Sequence, residues 1–197
     1  MTAPKTLLEL AGADLTPPRL DDACLVLIDI QNEYRSGPLA LPEADRAIAR
    51  AAHLLARARQ SGAVILHVAH KGRPGGLFDR EAERGALVAS VAPLAAEPVI
   101  EKALPNAFAG TDLQTRIAAS GRKNVVLAGF MTHMCVSSTA RAALDLGLRT
   151  TIAADACASR DLPDGRGGAI TAATIHDVAL AELSDRFAII ARSDVLI

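Results

Sequence analysis

The stretch LAGFMTHMCVSSTARAALDLG, from Leu127 to Gly147, changes character at Cys135. An apolar run typical of a buried strand precedes the cysteine. A helical pattern follows it and stops at Gly147, a residue suited to end a helix. A strand that passes directly into a helix is the repeating unit of α/β sheets. The stretch therefore predicts an α/β fold with Cys135 at a strand-to-helix junction.

The rest of the chain alternates between strand and helix in the same way. Short apolar runs predict strands at 23–30, 63–69, 97–102, 124–130, 149–155 and 187–191. Helical patterns are expected at 42–60 with Pro42 in the first turn, at 111–120 with Thr111 and Gln114 as a capping box, at 135–146 and at 172–183. Right-handed crossovers between such strands give a three-layer α/β/α sandwich with a mainly parallel six-stranded sheet.

Size and composition narrow the classes of function. The 197 residues predict a single domain, 1–197, with residues 1–20 as an N-terminal extension. The net charge of -1 offers no basic surface for nucleic acid, and no run of about 18 uncharged apolar residues predicts a membrane span. The three cysteines form no C-x-x-C pair. Reduced thiols, and hence a cytoplasmic protein, are expected.

Three chemically reactive residues, Asp29, Lys102 and Cys135, lie at the ends of three predicted strands. Each alone has a structural explanation: the aspartate could fix the next turn, the lysine could be solvated, and the cysteine could be a buried apolar residue. Together they would meet at the edge of a parallel sheet where ligands bind. The aspartate could then exchange a proton with the thiol, the lysine could pair with the carboxylate, and the helix N-terminus would favour a thiolate.

Three segments, LVLIDIQNEY, EKALPNAF and LAGFMTHMCVSSTARAALDLG, resemble the isochorismatase-like cysteine hydrolases in their order and separations. That family includes nicotinamidases, N-carbamoylsarcosine amidases and isochorismatases, and the resemblance spans about residues 20–192. It implies that Asp29, Lys102 and Cys135 form a catalytic triad in which the cysteine attacks a carbonyl carbon, usually of an amide. It also implies a cis peptide bond between Phe130 and Met131, and an oxyanion hole made of the backbone N–H groups of Met131 and Cys135.

The resemblance also implies a set of residues around the substrate. Gln31 would fix the loop after the aspartate, and Asn106 and Phe108 would form a wall of the pocket, although Phe108 could equally pack in the core. Met131 could also be core filler, and for Met134 that interpretation is preferred. The remaining substrate-pocket candidates are His70, Phe130 and His133.

Nicotinamidases of the family bind a divalent metal, and this chain departs from their pattern. His67 and His70 are three residues apart and would point to opposite faces of a strand. The Asp-x-His element is missing, and Asp79 does not restore it. We therefore expect no metal, no other cofactor and no nicotinamidase activity, with His67 as a core histidine. The residues without a predicted role are His53, His176, Cys24 and, in a loop beyond the fifth strand, Cys157.

Several functions remain open at this point. The first is hydrolysis of a small amide or related carbon–nitrogen bond, with cleavage of an isochorismate-type vinyl ether as a variant. A Rossmann-type nucleotide-binding module would need a glycine-rich loop, and DIQNEYRSGP is not one. A non-catalytic small-molecule-binding or assembly subunit is the third. The family generally associates, so we expect a homo-oligomer, either a dimer or a tetramer, with specificity carried by the loops at 71–85 and 161–168.

Overall fold

The chain folds around one mainly buried sheet, and the computed structural model describes residues 3–197. The strands are β1 (Ala23–Ile28), β2 (Val64–His70), β3 (Val99–Lys102), β4 (Asn124–Phe130), β5 (Arg149–Ala158), β6 (Leu162–Pro163), β7 (Ala169–Ile170) and β8 (Ile189–Ala191). The α-helices are α1 (Leu7–Leu10), α2 (Ala44–Ser61), α3 (Leu113–Ala119), α4 (Ser137–Asp145) and α5 (Ala172–Arg186). Single turns of tighter helix occupy Leu20–Asp22, Asn32–Tyr34, Glu83–Gly85, Ala89–Val91 and Ser193–Val195, and a wider π turn occupies Thr132–Val136.

The six main strands are parallel and lie in the order β3-β2-β1-β4-β5-β8. The predicted α/β fold with a six-stranded parallel sheet is therefore confirmed. The strand order reverses its direction between β1 and β4, which is where ligands bind in sheets of this type. The short strands β6 and β7 form a separate antiparallel hairpin, of which β6 lies in the predicted loop at 161–168 and β7 directly follows that loop.

Alternate residues of β1 pack into two separate cores, which explains its unbroken apolar sequence. Leu25 and Leu27 belong to the core under α2. Val26 and Ile28 belong to the core on the other face, with residues of α3 and α4. Burial of each such side chain stabilises the fold by about 2 kcal/mol. These two cores hold the ends of the strands, and the residues that follow them, in fixed positions.

Gly129 allows β4 to lie very close to β1. Its φ is +126°, and a Cβ atom at this position would lie 2.0 Å from the carbonyl oxygen of Ile28. Only glycine fits such a backbone conformation without strain. The pairing of β4 with β5 also shifts its register between Leu127 and Gly129. The end of β4 that leads to Cys135 is thus set against the end of β1 that leads to Asp29.

Some predicted element boundaries were wrong. Helix α2 begins at Ala44, so Pro42 lies before the helix and not in its first turn. The capping box of Thr111 and Gln114 does not form, because the helix begins only at Leu113 and Asp112, not Thr111, precedes its first residue. The fifth strand continues to Ala158 and therefore contains Cys157, which the prediction had assigned to a loop.

The N-terminal segment packs against the last helix. Helix α1 has a capping box of its own, in which Thr6 and Glu9 exchange hydrogen bonds. The N–H group of Leu7 donates to Asp185 of α5 at 2.8 Å. Within residues 3–197, no helix is both long enough and apolar enough to cross a membrane.

Candidate active site

The structure brings Asp29, Lys102 and Cys135 together. The Nζ atom of Lys102 lies 2.7 Å from Oδ2 of Asp29 and donates a hydrogen bond to the sulfur of Cys135 at 3.3 Å. All three residues are buried, at 0%, 3% and 5% exposure. A carboxylate, an ammonium and a thiol from three different strand ends therefore form one compact cluster at the carboxyl edge of the sheet.

Each residue of the cluster is held by the backbone around it. Asp29 has a left-handed conformation with φ of +51°, and its N–H group donates to the carbonyl oxygen of Val68 in β2. Aspartate tolerates this conformation better than most residues. Lys102 ends β3 and pairs in register with His70 of β2, so both side chains leave the same face of the sheet. The ladder thus directs the ammonium toward Asp29.

Cys135 lies in the π turn and not at the start of α4 as predicted. The carbonyl oxygen of Met131 accepts hydrogen bonds from the N–H groups of Met134 and Val136, which closes this wide turn. The peptide bond between Phe130 and Met131 is cis. Helix α4 begins two residues after the cysteine, at Ser137. The nucleophile candidate therefore belongs to the turn that joins β4 to α4.

The electrostatics of the cluster differ from the expectation of a resting thiolate. Burial raises the pKa of the Cys135 thiol to about 12, and the charge of Asp29 adds to this effect while Lys102 opposes it. Burial also raises the pKa of Asp29, against the lowering effect of Lys102. A helix dipole stabilises an anion only by a modest amount, and here desolvation outweighs it. Desolvation therefore favours the thiol over the thiolate at Cys135.

His70 lies on the far side of Lys102. Its Nδ1 atom is 3.4 Å from Nζ of Lys102. Burial lowers the pKa of His70, and the positive charge of Lys102 lowers it further. The ring is therefore neutral near pH 7 and can accept a hydrogen bond from the ammonium. Phe78, at a centroid distance of 5.0 Å, packs against the ring of His70.

Gln31 fixes the loop after β2. Its Nε2 atom donates to the carbonyl oxygens of His70 and Gly85, and its Oε1 atom accepts from the N–H group of His70. The side chain is fully buried. The prediction that Gln31 fixes a loop fits these contacts, whereas its predicted place in the substrate pocket does not, because its amide group already binds backbone groups. Glu33 assists by accepting from the N–H group of Phe78.

The remaining pocket candidates differ in their surroundings. Phe130 is fully buried and packs edge-on against Tyr34, so its side chain belongs to the core and not to a pocket wall. Asn106 accepts a hydrogen bond from the N–H group of Phe108. Phe108 is half-buried against the apolar core that also contains Cys135. Met131 is buried, and Met134 is 38% exposed and so is not core filler.

His133 lies between the π turn and the end of β5. Its Nδ1 atom is 3.1 Å from the hydroxyl oxygen of Ser159, whereas its Nε2 atom is buried and has no hydrogen-bond partner within the described residues. Burial lowers the pKa of His133. The neighbouring Thr132 binds Nδ1 of His176 at 2.8 Å, a partner that the sequence did not predict.

Most histidines and cysteines for which no catalytic role was predicted lie in the core or away from the cluster. His67 is 1% exposed and binds Glu97 at 3.0 Å, as expected of a core histidine. Cys24 is buried beside the hydroxyl group of Ser120, and Cys157 is buried within β5. His53 is exposed on α2. Over residues 3–197, no group of three histidine, cysteine or acidic side chains is arranged to hold a metal ion.

Sequence reasoning missed Tyr34 and Arg160. Tyr34 is buried, and the charges of Asp29 and Cys135 help to raise the pKa of its phenol. Arg160 lies two residues after the end of β5, and its charge affects the pKa of both Tyr34 and His133. Tyr34 is the only tyrosine of the chain and lies five residues after Asp29, and this position was the one sequence feature that could have indicated its closeness to the cluster. Nothing local in the sequence distinguishes Arg160 from the other arginines.

The fold and the site together place this chain in one structural class of protein. Its members are α/β proteins with a buried cysteine, aspartate and lysine at the carboxyl edge of a parallel sheet. Comparison with known proteins gives the family. The isochorismatase domain family matches residues 23–195. The chain belongs to the isochorismatase family, as the sequence motifs had indicated.

One solved structure and one curated relative resemble nearly the whole chain. The crystal structure of an isochorismatase from Pseudomonas putida has a TM-score of 0.95 and 44% identity, and the match covers 99% of this chain and 100% of that one. A secreted isochorismatase effector of Verticillium dahliae is 36% identical over 167 residues, which cover 84% of this chain and 85% of the relative.

Two further relatives have names that state an enzymatic activity. A streptothricin hydrolase of Streptomyces noursei is 36% identical over 164 residues, covering 83% of this chain and 57% of the relative. A maleamate amidohydrolase of Pseudomonas putida is 33% identical over 153 residues, covering 69% of this chain and 72% of the relative. Relatives in this family therefore include hydrolases, and the name of one of them states that it hydrolyses an amide.

Proposed function

We propose that this protein is a cysteine-dependent hydrolase that cleaves a small amide or related carbon–nitrogen bond through an acyl-enzyme on Cys135. The observation that carries the proposal is the position of Lys102, whose Nζ atom contacts both the Asp29 carboxylate and the Cys135 sulfur. A buried ammonium between a carboxylate and a thiol supports proton exchange between the two. Asp29 is the acid and base, and Lys102 is the electrostatic partner.

In the first half-reaction the sulfur of Cys135 forms a bond to the substrate carbonyl carbon. Asp29 takes the thiol proton as this bond forms, and it gives the proton to the leaving nitrogen as the carbon–nitrogen bond breaks. The negative charge on the carbonyl oxygen is stabilised by the N–H groups of Met131 and Cys135, and each such donor is worth roughly 3 kcal/mol in reactions of this kind. The products of this step are an amine or ammonia and a thioester.

In the second half-reaction water attacks the thioester carbon. Asp29 takes a proton from the water and returns it to the sulfur when the carbon–sulfur bond breaks. The acid leaves, and the site regains its resting thiol and carboxylate. The raised pKa of Asp29 supports this scheme, because a carboxylate with a raised pKa is a stronger base, whereas the raised pKa of the Cys135 thiol opposes its deprotonation.

Cleavage of a vinyl ether is the second candidate, favoured by the family match and by the names of the isochorismatase relatives. The same acid could protonate the vinyl carbon, water would add to the resulting oxocarbenium carbon, and the hemiketal would break down to an alcohol and a ketone without an acyl-enzyme. A non-catalytic binding or assembly role is the third. The organised cluster of Asp29, Lys102 and Cys135 argues against it, because a buried ion pair costs desolvation energy.

The experiment is a panel of small amides, carbamoyl compounds, nicotinamide and isochorismate, assayed for release of ammonia, acid or ketone. We expect ammonia and acid from at least one amide, and a thioester adduct on the Cys135 peptide when the reaction is quenched in acid and analysed by mass spectrometry. Release of ketone from isochorismate alone would favour the vinyl-ether function. Release from no compound would contradict the amide proposal.

The proposal includes a homo-oligomer, a dimer or tetramer, in the cytoplasm, with no resident metal or cofactor. Analytical ultracentrifugation tests the oligomer, and a monomer at micromolar concentration would contradict it. Metal analysis of the purified protein, together with turnover in the presence of a chelator, tests the absence of a metal. Fractionation of the native host cell tests the location.

A further inference from the structure

His176 is a polar residue on the face of α5 that packs against the rest of the protein. The buried residues of this helix are Ala172, Ala179 and Leu183. His176 lies four residues after the first of these and three before the second, so it lies on the same face. Its ring is half-buried. A polar side chain in such a position costs free energy unless it has a hydrogen-bond partner.

The partner of His176 is Thr132 in the π turn. The hydroxyl oxygen of Thr132 lies 2.8 Å from Nδ1 of His176, and this is the only hydrogen bond of that hydroxyl group within residues 3–197. Thr132 has no exposed surface. Loss of the imidazole would therefore leave a buried hydroxyl group without a partner, which costs free energy.

The imidazole of His176 is neutral near pH 7. Burial lowers its pKa, and the two charges that act on it oppose each other, since Asp177 raises the pKa and Arg46 lowers it. A neutral imidazole has one donor and one acceptor nitrogen, and a hydroxyl group can both donate and accept. The bond between Thr132 and His176 therefore forms with either tautomer of the ring.

Thr132 belongs to the backbone segment that carries the nucleophile candidate. It directly follows Met131 and lies three residues before Cys135. Its carbonyl oxygen accepts a hydrogen bond from the N–H group of Ser137, the first residue of α4. Wide turns of this kind are rare and frequently occur at functional sites. The backbone of Thr132 thus connects the π turn to α4, and its side chain connects the turn to α5.

We propose that His176 is a positioning residue that holds the π turn through its hydrogen bond to Thr132 and thereby orients the N–H groups of Met131 and Cys135. The anchoring of the turn stands on the geometry alone, whereas its effect on turnover rests on the proposed function. Thr132 shares a peptide group with Met131, whose carbonyl oxygen closes the turn. Donors of an oxyanion hole act only when they are aimed accurately, so a looser turn should slow the reaction.

Anchoring is tested first, by backbone hydrogen exchange of peptides that cover residues 131–136. T132V keeps the shape of the side chain without its hydroxyl group, and H176L removes the ring nitrogens. We expect each variant to speed exchange in the π turn about tenfold and to leave exchange in β1 unchanged. The controls are T115V and H53L, which change an exposed threonine of α3 and an exposed histidine of α2 and should not affect the turn.

Turnover of the preferred amide is tested next. T132V and H176L should each lower kcat about 10- to 100-fold and change KM by less than about threefold, because an oxyanion hole acts on the transition state. The double variant should be about as slow as the slower single variant, since both changes break one bond. T132S and H176N keep a hydrogen-bonding atom near the original position and should retain most of the activity.

Two further measurements separate positioning from a general loss of structure. Alkylation of Cys135 by iodoacetamide needs the thiol but no oxyanion hole, so its rate should stay within about threefold of the wild type in T132V and H176L. Thermal unfolding shows whether each variant is folded. If H176L is not folded, H176Q serves, because glutamine is a polar residue that lacks a nitrogen at the Nδ1 position.

The outcomes separate this inference from the proposed function. Cysteine-dependent amide hydrolysis with unchanged kcat in T132V and H176L would overturn the inference and leave the proposed function standing. Losses of kcat that multiply in the double variant, or exchange in the π turn that stays at the wild-type rate, would also overturn it. Faster exchange of the turn in both variants of a protein that hydrolyses no amide would support the anchoring and contradict the proposed function.

Discussion

Asp29 and Lys102 form an ion pair with no exposed side-chain surface, and their charged atoms are 2.7 Å apart. Removing one of two desolvated charges destabilises a fold, because the other charge is left buried without a partner. This pair therefore links the stability of the protein to the chemistry proposed for its site. Removing either Asp29 or Lys102 should therefore change both the stability and the activity of the protein, and the size of each change should depend on pH.

Replacing Lys102 should destabilise the protein more at high pH than at low pH. In K102M the buried Asp29 has lost its cation, and breaking such a pair typically costs about 3–5 kcal/mol. The pKa of Asp29 is already raised by burial and should rise further. A carboxyl group with a raised pKa in the folded state favours folding at low pH, where it is protonated, and this stability is lost as the pH rises through that pKa.

Urea unfolding of K102M at pH 5 and pH 8 measures this effect. The control is K123M, which removes an exposed lysine from the turn before β4. We expect a larger loss of unfolding free energy at pH 8 than at pH 5 for K102M, and little change at either pH for K123M. An equal loss of unfolding free energy at both pH values would show that the pKa of Asp29 does not depend on Lys102.

Turnover should fall in acid at a higher pH than an ordinary aspartate would cause. Asp29 must be a carboxylate to take the thiol proton, and burial raises its pKa. Activity is therefore present above this raised pKa and is lost as the pH falls through it. The measurement is kcat/KM against pH on the preferred substrate. Constant activity down to the range of a free aspartate, near pH 4, would contradict the assignment of Asp29 as the base.

Glu97 should stabilise the fold at neutral pH through three partners. Its carboxylate accepts two hydrogen bonds from Arg59, at 2.8 and 2.7 Å, and others from Leu94 and His67. These contacts, Arg59 foremost, lower its pKa to about 2. A lowered pKa stabilises the fold above the ordinary glutamate pKa, and the effect disappears as the pH falls toward 2.

The E97Q variant tests this, since glutamine keeps the shape and removes the charge. We expect a loss of about 2 kcal/mol in unfolding free energy at pH 7, which narrows in acid. E182Q is the control, because Glu182 forms an exposed ion pair with Arg141 and such pairs contribute about 0–1 kcal/mol. Identical unfolding curves for E97Q and the wild type at pH 7 would show that these contacts do not stabilise the core.

Replacing Gly129 by alanine should disrupt the junction of β1 and β4. The new Cβ atom would lie 2.0 Å from the carbonyl oxygen of Ile28, so the strands must separate. We expect a loss of about 3 kcal/mol or more, together with lower activity. G121A is the matched control: Gly121 also has a positive φ, of +71°, but no atom lies within 4 Å of the added carbon. Comparable unfolding midpoints for the two variants would contradict the close approach.

The strand ends were predictable from the sequence because their signals are local. Continuous apolar runs indicated β1 and β4, the short segment EPVIEK indicated β3, and parallel pairing brings the residues at the ends of such strands to one edge. Asp29, Lys102 and Cys135 could therefore be grouped without coordinates. The resemblance of three motifs to one family supported the same grouping.

Properties that depend on long-range packing could not be predicted in this way. The pKa of the Cys135 thiol depends on burial among residues that are distant in the sequence, whereas the predicted preference for a thiolate took only the helix N-terminus into account. The position of Arg160 near the turn that carries Cys135 depends on β5 and β4 ending side by side, which the local sequence does not show.

The most direct measurement compares the wild type with C135A on the preferred amide of the substrate panel. Cys135 is buried beside Lys102, and loss of its sulfur removes the proposed nucleophile without removing the Asp29–Lys102 pair. We predict no detectable turnover by C135A and an unfolding midpoint close to that of the wild type. Release of ammonia by C135A at a rate comparable to the wild type would contradict the acyl-enzyme mechanism.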